Sequence, residues 1–446
     1  MSSVLIVNAN VVNEGDIKPV DVLLCNGRIE RIDNSLSVAA DQVMDAEGCF
    51  LIPGMIDDQV HFREPGLEDK GNFVSESRAA VAGGVTSFLD MPNTVPITLH
   101  ETDIQDKMQR AQGRSLANFG FYLGASHENL EVIKALDPNL ACGISVFMGS
   151  ACMPKLIDDL DTLEQIFTYA PILVAAHCED TPTILENEES YRSIYGDTIP
   201  VEFHSQIRSE EACYLASSQA IALAQQYDAR LHILHISTAR ELDLLQSTTL
   251  ADKRITAEVC PHYLYFSDED YVSKASLIKT APAIKTSEDR AALIQGLLEG
   301  RLDLIGSGHA PHLWAEKQGD DYFAIPPGAP WVQHALLSVL EHYHDGILSL
   351  EHIVEKTSHA VAQLFDIHER GFIREGYWAD LVLLDLAETT ATHASTLYKV
   401  GWTAYAGNTF RSRIAATWVN GQLVWQDGQL VQMSEQAPGQ ALSYQR

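Results

Sequence analysis

Between residues 54 and 365 the sequence repeats one rhythm eight times. Short β-rich apolar runs end at Val60-His61, Phe88-Leu-Asp90, Phe119–Leu123, Ile144–Met148, Ile172–His177, Leu231–Ile236, Ile255–Cys260 and Leu302–Gly306. Amphipathic stretches with helical spacing lie between them, Ser75–Ala82 and Leu156–Thr168 among them. Eight β-then-α units predict a closed parallel (β/α)8 barrel of the TIM type. In that architecture the reactive side chains sit at the C-terminal ends of the strands.

The flanks read differently. Residues 1–53 and 366–432 carry short alternating strands, with Asn26-Gly27 and Asn420-Gly421 as hairpin turns. Strands at both ends around a different middle predict one small β-sandwich domain built from both termini, beside a barrel over 54–365. The Gln- and Ser-rich residues 433–446 read as a loose tail. Apolar residues make up 46% of the 446, enough for a large core.

Charge narrows the partners. Thirty basic against 61 acidic residues leave −31, a field that repels nucleic acid and anionic membranes. No apolar run approaches the ~20 residues of a membrane helix, and Met1–Asn8 lacks the pattern of a signal peptide. Seven scattered Cys, with no CxxC pair, point to a reducing cytoplasm rather than a disulfide framework.

The polar residues gather at the strand ends. In Pro53–Gly66 alternation sends Gln59, His61 and Arg63 to one side. His61, His177 and His235, from the first, fifth and sixth strands, form a candidate Zn²⁺ site with an open position. Such an ion polarises a carbonyl and acidifies water, the chemistry of amide hydrolysis. Singly, each is more often a hydrogen-bonded structural histidine. His232, three residues before His235, falls on the opposite face and reads as structural. Arg63, Asn93 and His312 form a second set: a planar fork for a carboxylate with two added donors. Their bland roles are a surface salt bridge, a turn residue and a loop cap. Pro326–Pro330 reads as a rigid loop, either a lid or, more often for such a stretch, plain surface, and Ser209 as the cap of a following helix.

Six stretches resemble, in order, the motifs of dihydroorotases in the amidohydrolase superfamily. They are Asp58-Gln-Val-His-Phe-Arg-Glu-Pro-Gly66, Asp90–Thr94, Ile144–Gly149, His177-Cys-Glu179, His235–Thr238 and His309-Ala-Pro-His312. The resemblance covers essentially the whole chain. It implies ring hydrolysis between dihydroorotate and N-carbamoyl-aspartate in pyrimidine biosynthesis, in a barrel holding one or two zinc ions. It implies metal ligation by His61, His177 and His235, and substrate carboxylate binding by Arg63, Asn93 and His312. The departures matter as much. The family's strand-one HxH reads Gln59-Val-His61, and its strand-four Lys or Asp reads Ser145, with Lys155 too far on to replace it. Its strand-eight Asp, ligand and base, reads Gly308, and a substrate-binding Asn reads Ala281. The expectation is therefore impaired or absent catalysis, one zinc at most, and no assigned catalytic residue. Glu179, Cys260 and His309 are the side chains placed to fill in. Alternatives are a non-catalytic partner of aspartate transcarbamoylase and a hydrolase of another carboxylated cyclic amide. A homo-oligomer is expected on base rate.

Overall fold

The computed structural model describes residues 3–149, 157, 159–432 and 436–446; Lys155 lies outside them. Strands β1 (Ser3–Asn13), β2 (Asp16–Cys25), β3 (Arg28–Asp33), β4 (Gln42–Asp45) and β5 (Phe50–Pro53) open the chain. They join Leu381–Asp385, Arg413–Val419, Gln422–Gln426 and Gln429–Leu430 in one nine-stranded sheet. The seam between the termini is β5 against Leu381–Asp385, antiparallel, with Leu51 opposite Leu383. Asn26 and Gly27 turn β2 into β3 with φ of 51° and 84°. Both values are left-handed, which is why Asn-Gly occupies this turn.

The barrel follows directly. Its strands are β6 (Met55–Val60), β7 (Val85–Asp90), β8 (Asn118–Phe121) with β9 (Leu123–Gly124), β10 (Ile144–Met148), β11 (Val174–Cys178), β12 (Leu231–Ile233), β13 (Ile255–Val259) and β14 (Leu304–Ile305). β8 and β9 are two halves of the third barrel strand, interrupted at Tyr122. All pairings from β6 to β8 and from β9 to β14 are parallel. A parallel bridge between Val60 and His309 links the last unit to the first. Every residue of β6, β7 and β10 is buried, the two-sided burial expected of parallel strands under a helical layer.

Helices cover the outside with local signals visible in the sequence. Phe73–Ala82 starts at Asn72, whose side chain accepts from the Val74 and Ser75 amides. Glu210–Tyr227 is capped by Ser209, as expected. The aromatic rings of Phe62, Phe73, Phe88, Phe119 and Phe121 pack together where the first three strands meet this layer. Among the described residues no helix is long and apolar enough to cross a membrane.

The C-terminal tail departs from expectation. Over residues 436–446 it is anchored, with Leu442 and Tyr444 buried and the Leu442 amide donating to Phe119 O at 2.9 Å. Ala441 bridges Phe119, and Tyr444 bridges Ile367. Two apolar side chains at alternate positions, facing an unpaired strand edge, outweigh a polar average composition.

Candidate active-site pocket

One cavity of about 460 Å³ opens at the C-terminal strand ends. Gln59, His61, Arg63, Asn93, His177, His235 and His312 all line it. The first of these are set by β6 and its exit loop. The His61 amide donates to His309 O at 2.7 Å, and the Phe62 amide to Asp90 Oδ1 at 2.7 Å. Asp90 is itself held by Lys107 at 2.5 Å, both fully buried. Arg63 follows with φ of 72°. Its Nε donates to Pro311 O at 3.2 Å, and its Nη2 lies 3.3 Å from His312 Nε2. The guanidinium is thereby braced against the loop that carries His312.

The second group sits on β11 and just past β12. His177 Nδ1 and His235 Nε2 are 2.8 Å apart. The other His177 nitrogen contacts Glu179 Oε2 at 2.9 Å, and Glu179 pairs with Arg208. Burial pushes the Glu179 carboxyl up, but Arg208 and His177 more than reverse this and leave it below its usual value. A carboxylate fixes the His177 ring so that Nδ1 faces His235. Burial, and then Arg63, hold His61 well below the usual histidine value. Burial and His177 do the same for His235. His312 and His262 are both pushed down to about 3, chiefly by burial. These imidazoles are neutral, with lone pairs to offer.

The zinc implied by the resemblance can be tested against this geometry. Two ring nitrogens in such close contact share a proton or a cation, so His177 and His235 fit as two ligands. His61 stands apart from the pair: its Nδ1 donates to Asn93 Oδ1 at 2.6 Å, which leaves the lone pair on Nε2. The three imidazoles do not bring their donor atoms within 4.8 Å of one another, a grouping reached among the described residues by a different set. Among the described residues no carboxylate joins these imidazoles in a group of three donors. Ser145 is buried in β10 with its hydroxyl 3.7 Å from Met91 Sδ. Gly308 has φ of 64°, and a Cβ there would lie 2.8 Å from Cys260 Sγ. Cys260 in turn points at Gln59 Oε1, 3.5 Å away. The pocket thus pairs two of the three imidazoles that the resemblance names as ligands.

Some pocket residues escaped the sequence reading. Lys279 lines the cavity and donates to Ile325 O at 2.7 Å, which ties down the loop through Pro326 and Pro327. That loop, open in the sequence between a lid and plain surface, forms a wall of the cavity. Arg208 lay inside a segment read only as a helix start. Their shared signal is a cation in an apolar neighbourhood, which needs the tertiary fold to recognise. His309, a candidate substitute base, is turned away: Nε2 contacts Glu76 Oε2 at 2.9 Å, and Nδ1 accepts from the Trp331 amide at 3.0 Å.

Known proteins agree with this architecture. Residues 50–424 match the family described as "Amidohydrolase family". An allantoinase of Bacillus velezensis is 31% identical over 95% of this chain and 94% of its own length. A dihydroorotase of Methanosarcina acetivorans is 31% identical over 91% of this chain and 89% of its own. The solved L-hydantoinase (dihydropyrimidinase) from Arthrobacter aurescens superposes with a TM-score of 0.93 at 26% identity, covering 99% of this chain and all of that one. With a family match over residues 50–424 and a fold shared along its whole length with a solved hydantoinase, the chain belongs to the amidohydrolase family.

Proposed function

We propose that the pocket binds a small carboxylated cyclic amide of the dihydroorotate or N-carbamoyl-aspartate type, and that ring hydrolysis there is impaired or absent. The observation that carries the reading is the Cys260 thiol beside Gly308. It occupies the space a strand-eight carboxylate would need, so the missing base is replaced by a neutral, apolar wall. Burial first, and the neighbouring Glu258 next, raise the Cys260 thiol well above its usual value, so it is no substitute nucleophile. The binding half is in place. Arg63 is braced toward the cavity beside Asn93 and His312, and its fork suits a carboxylate. A zinc ion, the cofactor the resemblance implies, has two imidazoles ready and, among the described residues, no carboxylate grouped with them.

The allantoinase among the relatives favours a second reading, hydrolysis of an uncharged cyclic ureide. One experiment separates the two. Dihydroorotate, N-carbamoyl-aspartate, allantoin and hydantoin are titrated calorimetrically, and turnover of each is followed with added Zn²⁺. The proposal expects binding of the carboxylated pair, with turnover at least roughly 10²-fold below that of an active dihydroorotase, the scale of a lost acid–base group. Brisk turnover of any of the four overturns the catalytic half. Binding of allantoin or hydantoin without the carboxylated pair overturns the substrate half. If binding occurs without turnover, co-purification with aspartate transcarbamoylase becomes the next measurement.

A further inference from the structure

Beneath the pocket, inside the barrel, Asp58 of β6, His232 of β12 and Glu258 of β13 converge, all three fully buried. Their donor atoms lie within 4.8 Å of one another. His232 Nε2 is 3.3 Å from Asp58 Oδ2 and 3.7 Å from Glu258 Oε2. Neither contact has the alignment of a hydrogen bond. Asp58 Oδ1 and Oδ2, Glu258 Oε2 and His232 Nε2 are all buried with no hydrogen-bond partner. Gly306 makes the approach feasible, because a Cβ there would fall 2.5 Å from Asp58 Oδ1 and 2.6 Å from Glu258 Oε2.

The remaining atoms of the cluster fix its orientation. Thr256 Oγ1 donates to Leu231 O at 3.3 Å, so it accepts from His232 Nδ1 at 2.8 Å. The Nδ1 proton is thereby assigned, and His232 turns its Nε2 toward two carboxylates. Glu258 Oε1 accepts from the His235 amide at 3.1 Å, leaving Oε2 for the cluster. Two carboxylates packed together in a dry interior repel one another and have lost their water, a cost of several kcal/mol per ion. A cation between them removes both penalties.

We propose that Asp58, His232 and Glu258 bind one first-row divalent metal ion of the zinc or manganese type, in a structural site separate from the pocket. One imidazole and two carboxylate oxygens form a donor set for such ions, and ligand bonds of about 2.1 Å match the observed spacings. For bonds of that length, donors 3.3 and 3.7 Å apart subtend roughly 100° and roughly 120°, close to tetrahedral angles. The Nδ1–Thr256 contact supplies the outer hydrogen bond that ligating histidines use to hold their ring. The site spans β6, β12 and β13, so the ion clamps the first strand of the barrel to the sixth and seventh. Its rival is a proton shared among the same three groups.

The test is metal content, which does not depend on turnover. Full-length protein is equilibrated with Zn²⁺ or Mn²⁺, desalted and analysed by elemental mass spectrometry. Parent and His177→Ala are expected to retain about one equivalent in this site, while Asp58→Asn and Glu258→Gln fall below a tenth of it. X-ray absorption of the His177→Ala protein should show one imidazole among oxygen donors. That measurement decides the matter even where a core variant does not fold. A folded His177→Ala protein without metal, a sphere of two or more imidazoles, or full metal retention by Asp58→Asn would each overturn the proposal. The first of these outcomes assigns the cluster to a shared proton.

Discussion

The Cys260 thiol fills the space beside Gly308: a Cβ built on the glycine would stand 2.8 Å from Cys260 Sγ and 3.2 Å from His262 Cε1. The two positions are distant in sequence and meet only because β13 and the segment after β14 are neighbours in the barrel. Restoring a carboxylate here is therefore not a single change. Gly308→Asp alone meets both the thiol and a φ of 64°, and left-handed backbone costs a residue with a Cβ about 1–2 kcal/mol. It should lower the melting temperature and leave zinc content where it was. Combined with Cys260→Ala, the same substitution should regain the part of that stability lost to the thiol clash, with the backbone cost remaining, and raise zinc uptake. Elemental analysis and thermal melts of the parent, the single and the double variant check this, and equal zinc in all of them would show that the lost carboxylate is not what limits binding.

Arg63 offers a second handle. Its fork is positioned by Pro311 O and His312, so it is arranged before any ligand arrives. Charge-assisted hydrogen bonds contribute about 1.5–3 kcal/mol. Arg63→Gln should weaken dihydroorotate binding roughly 10- to 100-fold by calorimetry. Arg63→Lys should recover only part of that, since it keeps the charge and loses the planar fork. Unchanged affinity in Arg63→Gln would place the carboxylate elsewhere in the cavity, with Lys279 and Arg208 as the cations to test next.

Which parts of this were legible in the sequence follows from how local each signal is. The eight barrel strands were, because runs such as Ile144–Met148 are apolar on both faces and bounded by breaks. The hairpins at Asn26 and Asn420 and the cap at Ser209 were, because each depends on its immediate neighbours. His61, His177, His235, Arg63, Asn93 and His312 reach one cavity because strand ends in a barrel converge. That His61 turns to Asn93 rather than to the other two imidazoles is a side-chain choice between strands, and spacing carries no trace of it. Asp58 was hidden for a related reason. It alternates with Gln59 and so faces away from His61, while its partners His232 and Glu258 sit on strands from the far half of the barrel sequence. The anchored tail was misread because average polarity conceals Leu442 and Tyr444.

The ion pair of Lys107 with Asp90 links a helix to the end of β7 beneath the pocket. Lys107 also donates to Met91 O at 3.1 Å, and Asp90 accepts from the Phe62 amide. Removing one partner strands a buried charge, which typically costs about 3–5 kcal/mol. Lys107→Met should lower unfolding free energy by about that much in urea, and should weaken ligand binding as well because the His61–Arg63 loop loses its tether. Lys107→Met paired with Asp90→Asn should recover part of the stability. A loss under about 1 kcal/mol in the single variant would mean the pair is not dry in solution.

His334 gives the fold a defined acid sensitivity. It is buried against Phe410 and Tyr398, with Nδ1 3.3 Å from the Tyr398 hydroxyl. Burial pushes its pKa down to about 4, against an unfolded value of about 6.5. The sign follows from proton counting: between those two values the unfolded chain binds the extra proton and the folded one does not. The contribution of neutral His334 is therefore full above about pH 6.5 and is lost as pH falls from there toward 4. A gap of roughly 2.5 pH units at about 1.36 kcal/mol each makes the whole loss about 3 kcal/mol, with about 2 kcal/mol of it gone by pH 5. His262 and His204 are depressed by burial in the same direction, so the parent should weaken steeply on acidification through this range. His334→Gln removes one titrating group and leaves the others. Its stability at pH 7 should be lower, but its further loss between pH 7 and 5 should be about 2 kcal/mol smaller than the parent's. Urea titrations of both proteins at the two pH values measure this. Parallel losses in the two proteins would mean that His334 takes up its proton in the folded state without penalty, and that its pocket opens to water on acidification.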